Sequence, residues 1–272
     1  MLPFGLNHMT VPTRPAVAIL DLAKHLGCVG VEFRNDLEGQ LFDGADPEFI
    51  LDAARARGLR ILALAEVKAF NDSSTEKAHE ALSLMKVART CRAESVALIP
   101  RVADGTVERY HQRDALRRAL KILHPMLEEH GLVGLIEPLG FVASSLRYKA
   151  DVVAVLDEMN RPACFKIVHD TFHHHLAGGG AIYADLTGLV HISGITDSVP
   201  SVAQMADEHR VLVGPGDRLN SIDQLRALRK SGYQGVVSFE AFAPEIHSVA
   251  DPAAALARSI DFISSQLAEV PA

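Results

Sequence analysis

Apolar positions along the chain follow two alternating rhythms. Short, nearly continuous apolar runs alternate with longer stretches in which apolar residues recur every third or fourth position. The first rhythm suits strands buried on both faces of a parallel sheet, and the second suits helices that cover it. The runs predict strands at residues 4–7, 28–33, 59–64, 95–99, 132–137, 164–169, 189–192 and 235–240. Helical periodicity falls between them, at 16–26, 47–58, 75–92, 113–130, 149–159 and 221–230, with a shorter helix inside 172–187 and a closing one at 252–267. Gly27, Gly58 and Gly131 stand where three of these helices should stop, and Pro47 where one should start. Residues 196–220, rich in Gly, Pro, Asp and Ser, read as a long irregular loop.

Strand–helix pairs in succession, with no linker between them, predict one domain over residues 1–272 with a (β/α)8 barrel fold in the α/β class. A doubly wound open sheet is the rival. It would carry a Gly-rich phosphate loop after its first strand, whereas the glycine run here, Gly178-Gly179-Gly180, follows the sixth and reads as a flexible turn. The length of 272 residues suits one barrel, and 48% hydrophobic residues suffice for its core.

Charge narrows the classes of partner. Acidic residues outnumber basic ones by 34 to 27, the wrong balance for a surface built to hold nucleic-acid phosphates. No apolar run is long enough for a membrane span, and the first residues lack the pattern of a signal peptide, so a cytoplasmic protein is expected. Cys28, Cys91 and Cys164 are widely spaced in apolar surroundings and are expected to be reduced thiols, not a disulfide framework or a zinc site. Neither a nucleic-acid nor a membrane partner is expected; a homo-oligomer is left open.

The chemistry gathers where strands end. Glu137, Asp170, His191 and Glu240 stand at or near the ends of strands five to eight. In a barrel such ends converge on one face whatever their separation in sequence. A single carboxylate after a strand commonly caps the next helix. Four metal-capable residues at consecutive strand ends instead point to one divalent ion (Mn, Mg, Co or Zn). His173, one turn past Asp170, is expected to reach the same cavity and bind substrate. Alternation turns His169 away as a packed, hydrogen-bonded residue, and His174 and His175 are expected to be structural. Arg210 precedes Gly214-Pro215-Gly216 in the long loop, where it could reach the rim or serve a loop ion pair. Glu32, Glu66 and Lys68 lie near the ends of strands two and three, facing substrate or pairing at the surface, and Asn7 at the end of strand one is a further candidate.

Glu137, the run His169-Asp170-Thr171-Phe172-His173, His191 and Ser238-Phe239-Glu240 resemble the xylose-isomerase-like barrels of the sugar phosphate isomerase/epimerase group. The nearest likeness is to the 2-keto-myo-inositol (inosose) isomerases, through 170–175, 207–216 and 232–240; the first half shares layout more than residues. The resemblance implies a metal-dependent isomerase or epimerase of carbohydrate metabolism, with a small sugar or polyol as its partner. It implies that Glu137, Asp170, His191 and Glu240 hold the metal, that Glu137 and Glu240 also move protons, and that His173 and Arg210 bind substrate, with Glu66 and Lys68 across the rim departing from the inosose isomerases. Three rivals stand beside it: an inosose-dehydratase-like lyase, a non-catalytic sugar-binding barrel, and an endonuclease for abasic DNA. The last needs more metal ligands and basic loops than this sequence offers.

Overall fold

In a computed structural model, residues 2–102 and 109–268 are described. The strands are β1 (Phe4–Asn7), β2 (Gly30–Arg34), β3 (Arg60–Lys68), β4 (Ser95–Ile99), β5 (Val133–Ile136), β6 (Phe165–Asp170), β7 (Thr187–Ile192) and β8 (Val237–Phe239). All pair in parallel with their sequence neighbours, and β1 pairs with β8 to close the barrel. Around it lie α1 (Ala16–His25), α2 (Pro47–Ala56), α3 (Thr75–Thr90), α4 (Arg109–His130), α5 (Lys149–Glu158), α6 (Thr171–Leu176), α7 (Ser221–Lys230), α8 (Pro244–His247) and α9 (Pro252–Ala268). The (β/α)8 expectation holds, and α8, too short to show a period, is the helix it omitted.

Strand alternation sorts the side chains into two cores. On β7, Val190 and Ile192 join the large cluster between strands and helices, while Leu189 points inward to the barrel floor. Leu135 of β5, Val168 of β6 and Leu62 of β3 meet Leu189 there. Burying each contributes roughly 1.5–3 kcal/mol. Gly5 makes room for this layer: a Cβ on it would lie 2.7 Å from Leu62 Cδ1. The same alternation puts the next inward positions, Glu137, Asp170 and His191, directly above the floor.

β3 runs four residues beyond its predicted end at Leu64, carrying Glu66 and Lys68 on the strand itself. β2 likewise continues through Arg34. The predicted irregular loop contains two short 3-10 turns, Val202–Gln204 and Asp207–His209. It is pinned by the Gly194–Val211 bridge and by Asp217, whose carboxylate accepts from the backbone N–H groups of Ile195, Leu219 and Ser221. The three cysteines are unpaired, and burial pushes the Cys28 thiol up to about 12. No helix among the described residues is long and apolar enough to cross a membrane.

Candidate metal centre and active site

Glu137 follows β5, Asp170 ends β6, His191 lies one residue from the end of β7, and Glu240 follows β8. Asp170 stands beside His191 in the strand register, and His191 beside Ser238. The four side chains are at most 4% exposed and offer donor atoms all within 4.8 Å of one another. Three carboxylates and an imidazole thus converge in one buried space. They fit a divalent ion that prefers oxygen and tolerates nitrogen.

Asp170 does two jobs. Its Oδ1 caps α6, accepting from the N–H groups of Phe172 (2.7 Å) and His173 (3.0 Å), which leaves Oδ2 for the cluster. The capping role and the metal role are therefore compatible at one residue. His191 is held from below by Glu32, whose Oε2 lies 3.0 Å from Nε2, so Nδ1 faces Glu137 (3.3 Å) and Glu240 (3.2 Å). A carboxylate behind a ligand imidazole fixes its tautomer and ring angle. Glu32 is thus neither a rim residue nor a surface partner: it is fully buried inside the barrel.

Three further groups gather on Glu240. Arg34 Nη1 donates to its Oε1 (2.8 Å), Asn7 Nδ2 to the same oxygen (3.3 Å), and Arg210 Nη2 to Oε2 (2.9 Å). Arg210 Nη2 also donates to Asp170 Oδ2 (2.7 Å), and its guanidinium stacks between Phe172 and Phe242. Its backbone carbonyl accepts from Phe242 and Ala243, tying the loop to the end of β8. Arg210 does reach the pocket, but it touches two of the metal-capable carboxylates as well, a contact its loop position did not suggest.

These contacts split the proton affinities of the two glutamates. Burial pushes the Glu137 carboxyl up to about 7, against the pull of His191. Burial also works to raise Glu240, but the charges of His191, Arg210 and Arg34 outweigh it and hold the group well below the usual carboxylate range. For His191, burial favours the neutral ring, yet Glu240, Glu32 and Glu137 together hold it well above its ordinary value in the protein alone.

A cavity of about 420 Å³ opens onto this cluster, a size within the usual range for small-molecule sites. Glu137, Glu240, His173, Arg210, Glu66 and Lys68 all line it. His173 is buried, packs edge-on against Phe141, and its Nδ1 has no hydrogen-bond partner among the described residues. Glu66 is half-buried, with Oε2 3.3 Å from Arg34 Nη2, and burial raises its carboxyl against the pull of Arg34. Lys68 is exposed at the mouth.

Arg34, Asp36 and Phe242 also line the cavity and escaped the sequence reading. Arg34 shares the inward face of β2 with Glu32, and stopping that strand at Phe33 hid it. His169 does face away, as alternation required: its Nδ1 lies 2.6 Å from Lys149 Nζ and its Nε2 2.9 Å from Gln224 Oε1. His174 faces the same ammonium, its Nδ1 being 3.0 Å from it, and is not part of the four-residue cluster.

Comparison with known proteins agrees with this architecture. A xylose isomerase domain containing protein from Salmonella typhimurium LT2 shares 29% identity, covering 98% of this chain and 97% of that one, with a TM-score of 0.89. A crystal structure of the IOLI protein with a binding zinc atom shares 21% identity over 97% of this chain and 99% of that chain, at a TM-score of 0.85. The D-allulose 3-epimerase from Methylomonas sp. shares 19% over 98% of each, at 0.77. The last two are likenesses of fold. No curated protein matches the sequence. The model of the xylose isomerase-like TIM barrel family matches residues 20–266, and with nearly the whole barrel matched, the chain belongs to that family.

Proposed function

We propose that the protein is a divalent-metal-dependent isomerase or epimerase of a small keto-sugar or keto-polyol, with an inosose such as 2-keto-myo-inositol as the leading substrate. The observation that carries this reading is the pair Glu137 and Glu240. They line one cavity and form one cluster with Asp170 and His191, and in the protein without its ion their proton affinities are pushed apart. Two carboxylates so divided suit one group that takes a proton and another that holds and returns it.

Glu137, Asp170, His191 and Glu240 would hold the ion. When bound, it supplies Lewis-acid polarisation of the substrate carbonyl and hydroxyl oxygens. The rest falls to the chain. Glu240, ionised, takes the proton from the hydroxyl-bearing carbon beside the carbonyl; the C–H electron pair becomes the new C=C bond and the carbonyl π pair moves onto oxygen, giving an enediolate. Glu137 returns a proton. Delivery to the same carbon from the opposite face inverts it; delivery to the neighbouring carbon, with a hydroxyl proton passing between the oxygens, moves the carbonyl. Arg210 and Arg34 face the developing negative charge, His173 offers a ring nitrogen to a substrate hydroxyl, and Phe141 and Phe242 supply apolar walls. Glu66 and Lys68 contact the distal hydroxyls.

The test is solvent deuterium exchange into a panel of ketoses and inososes by the metal-loaded protein, followed by NMR. Exchange with an isomerised or epimerised product supports the reading. A dehydrated diketone would make the protein a lyase on the same scaffold, and binding without exchange would make it a sugar-binding barrel.

A further inference from the structure

A second cavity, of about 270 Å³, lies outside the barrel beside the first, with His173 in the wall of both. It is framed by the N-terminus of α5 and by the glycine run after α6, with Arg147, Tyr148, Lys149, His174, Gly179 and Gly180 among its lining. No Asp or Glu lines it among the described residues.

Its polar groups are donors, and the hydrogen-bond network shows why. Gln224 Nε2 donates to the carbonyls of Thr171 (3.0 Å) and Leu219 (2.9 Å), which fixes its Oε1 toward His169. His169 therefore carries its proton on Nε2, and its Nδ1 accepts from Lys149. His174 Nδ1 accepts from the same ammonium, so its proton also sits on Nε2. His174 is 8% exposed, and that Nε2 has no protein partner among the described residues; it lies 4.0 Å from where a Cβ on Gly179 would stand.

Arg147 adds a second cation. One of its terminal nitrogens donates to the Leu176 carbonyl, but its Nε is buried and unpaired. Neither Arg147 nor Lys149 forms an ion pair at contact distance among the described residues, although Asp170 acts on Lys149 from farther off. Buried donors left unpaired are costly, and cations without a counter-charge more so. The start of α5 contributes in the same sense: no side chain caps it, Lys149 and Ala150 of its first turn line the cavity, and Asp151 in that turn is already paired with Arg113 (2.6 Å). Gly178, Gly179 and Gly180 have φ of 87°, 79° and 114°, a succession that glycine alone adopts readily, and it keeps side chains out of the opposite wall.

We propose that this cavity is a binding site for a small phosphate-type oxyanion, seated between Lys149, His174, Arg147 and the N-terminus of α5. An anion there faces the two cations and the open ring N–H of His174 together. It also relieves Lys149, whose ammonium burial pulls down to about 7 against the charge of Asp170, and whose hydrogen-bond partners are two neutral rings. Because His173 forms part of both walls, the site adjoins the catalytic cavity without sharing its metal-capable residues.

The experiment titrates metal-loaded protein with inorganic phosphate and follows thermal unfolding. A saturable rise in Tm of roughly 2–4 °C is expected, absent in Arg147→Leu and Lys149→Met at unchanged metal content. Should Lys149→Met fail to fold, the half-buried Arg147 carries the comparison. Crystals grown with arsenate, an anomalous phosphate analogue, locate the site: a peak within hydrogen-bond distance of Lys149 and His174 is expected. Tighter competition by glycerol 3-phosphate identifies a phosphate ester as the source, and equal competition identifies the free anion. The proposal is overturned if phosphate gives no saturable shift, if both variants keep it, or if arsenate is found solely at the metal cluster.

Discussion

The two halves of the barrel divide the work at the centre. Strands β5 to β8 deliver all four metal-capable side chains, whereas β1 and β2 deliver supports for two of them: Asn7 and Arg34 on Glu240, and Glu32 on His191. The first half contributes no atom to the four-residue cluster. It sets ring tautomer, charge balance and the far wall of the cavity. The comparison teaches that the donors define what the site can hold, and their supports define how tightly and in which protonation state.

Removing a donor from the second half should have the largest effect. Asp170→Ala or His191→Ala is expected to take metal content from close to one ion per chain to near none, measured by elemental analysis after dialysis, with turnover lost. Full occupancy in either variant would remove that residue from the ligand set. A support from the first half should act more gently: Glu32→Gln is expected to weaken metal affinity about 10- to 100-fold. If Glu32→Gln matches His191→Ala, the division between halves fails.

Protons sharpen the same contrast. The surrounding glutamates overcome burial and hold His191 well above its ordinary value, so near neutral pH the metal-free ring is charged. A ligand imidazole must be free of its proton at the donor nitrogen. Metal uptake should therefore release protons and weaken as pH falls, which calorimetry in buffers of different ionisation enthalpy would read. Arg34 gives a smaller shift. It helps hold the Glu240 carboxyl low, so Arg34→Ala should raise that pKa and move the acid limb of the rate profile to higher pH.

The smallest effect concerns Lys149, whose ordinary value of 10.5 falls to about 7 on burial. Between those values the unfolded chain binds a proton the folded one lacks, so the cost of the buried ammonium fades as pH rises. Any stabilisation by Lys149→Met should accordingly be greatest near pH 7 and shrink toward pH 10, in Tm measured without phosphate.

Legibility followed the same division. Alternation on β5, β6 and β7 put Glu137, Asp170 and His191 on one side and turned His169 to the other, all readable because metal-capable residues are conspicuous beside apolar runs. Arg34 was not readable in that way. An arginine at a strand end looks like a surface residue until the closed barrel brings it against Glu240, more than two hundred positions along the chain. Glu32 failed similarly, because its partner His191 is joined to it across the barrel interior, not along a strand. The extension of β3 through Glu66 and Lys68 was hidden by their polarity, which reads as a loop although the backbone pairs with β4 as far as Ile99.

The central claim, that Glu137 and Glu240 move the proton and do more than hold the ion, is tested most directly by Glu137→Gln and Glu240→Gln. Glutamine keeps the shape and one oxygen but cannot serve as the base. With metal content matched to the wild type, solvent deuterium exchange into the substrate should fall at least about a hundredfold in each, in step with turnover. Near-wild-type exchange in either variant would contradict the account, leaving that glutamate a ligand alone and making His173 the next group to test.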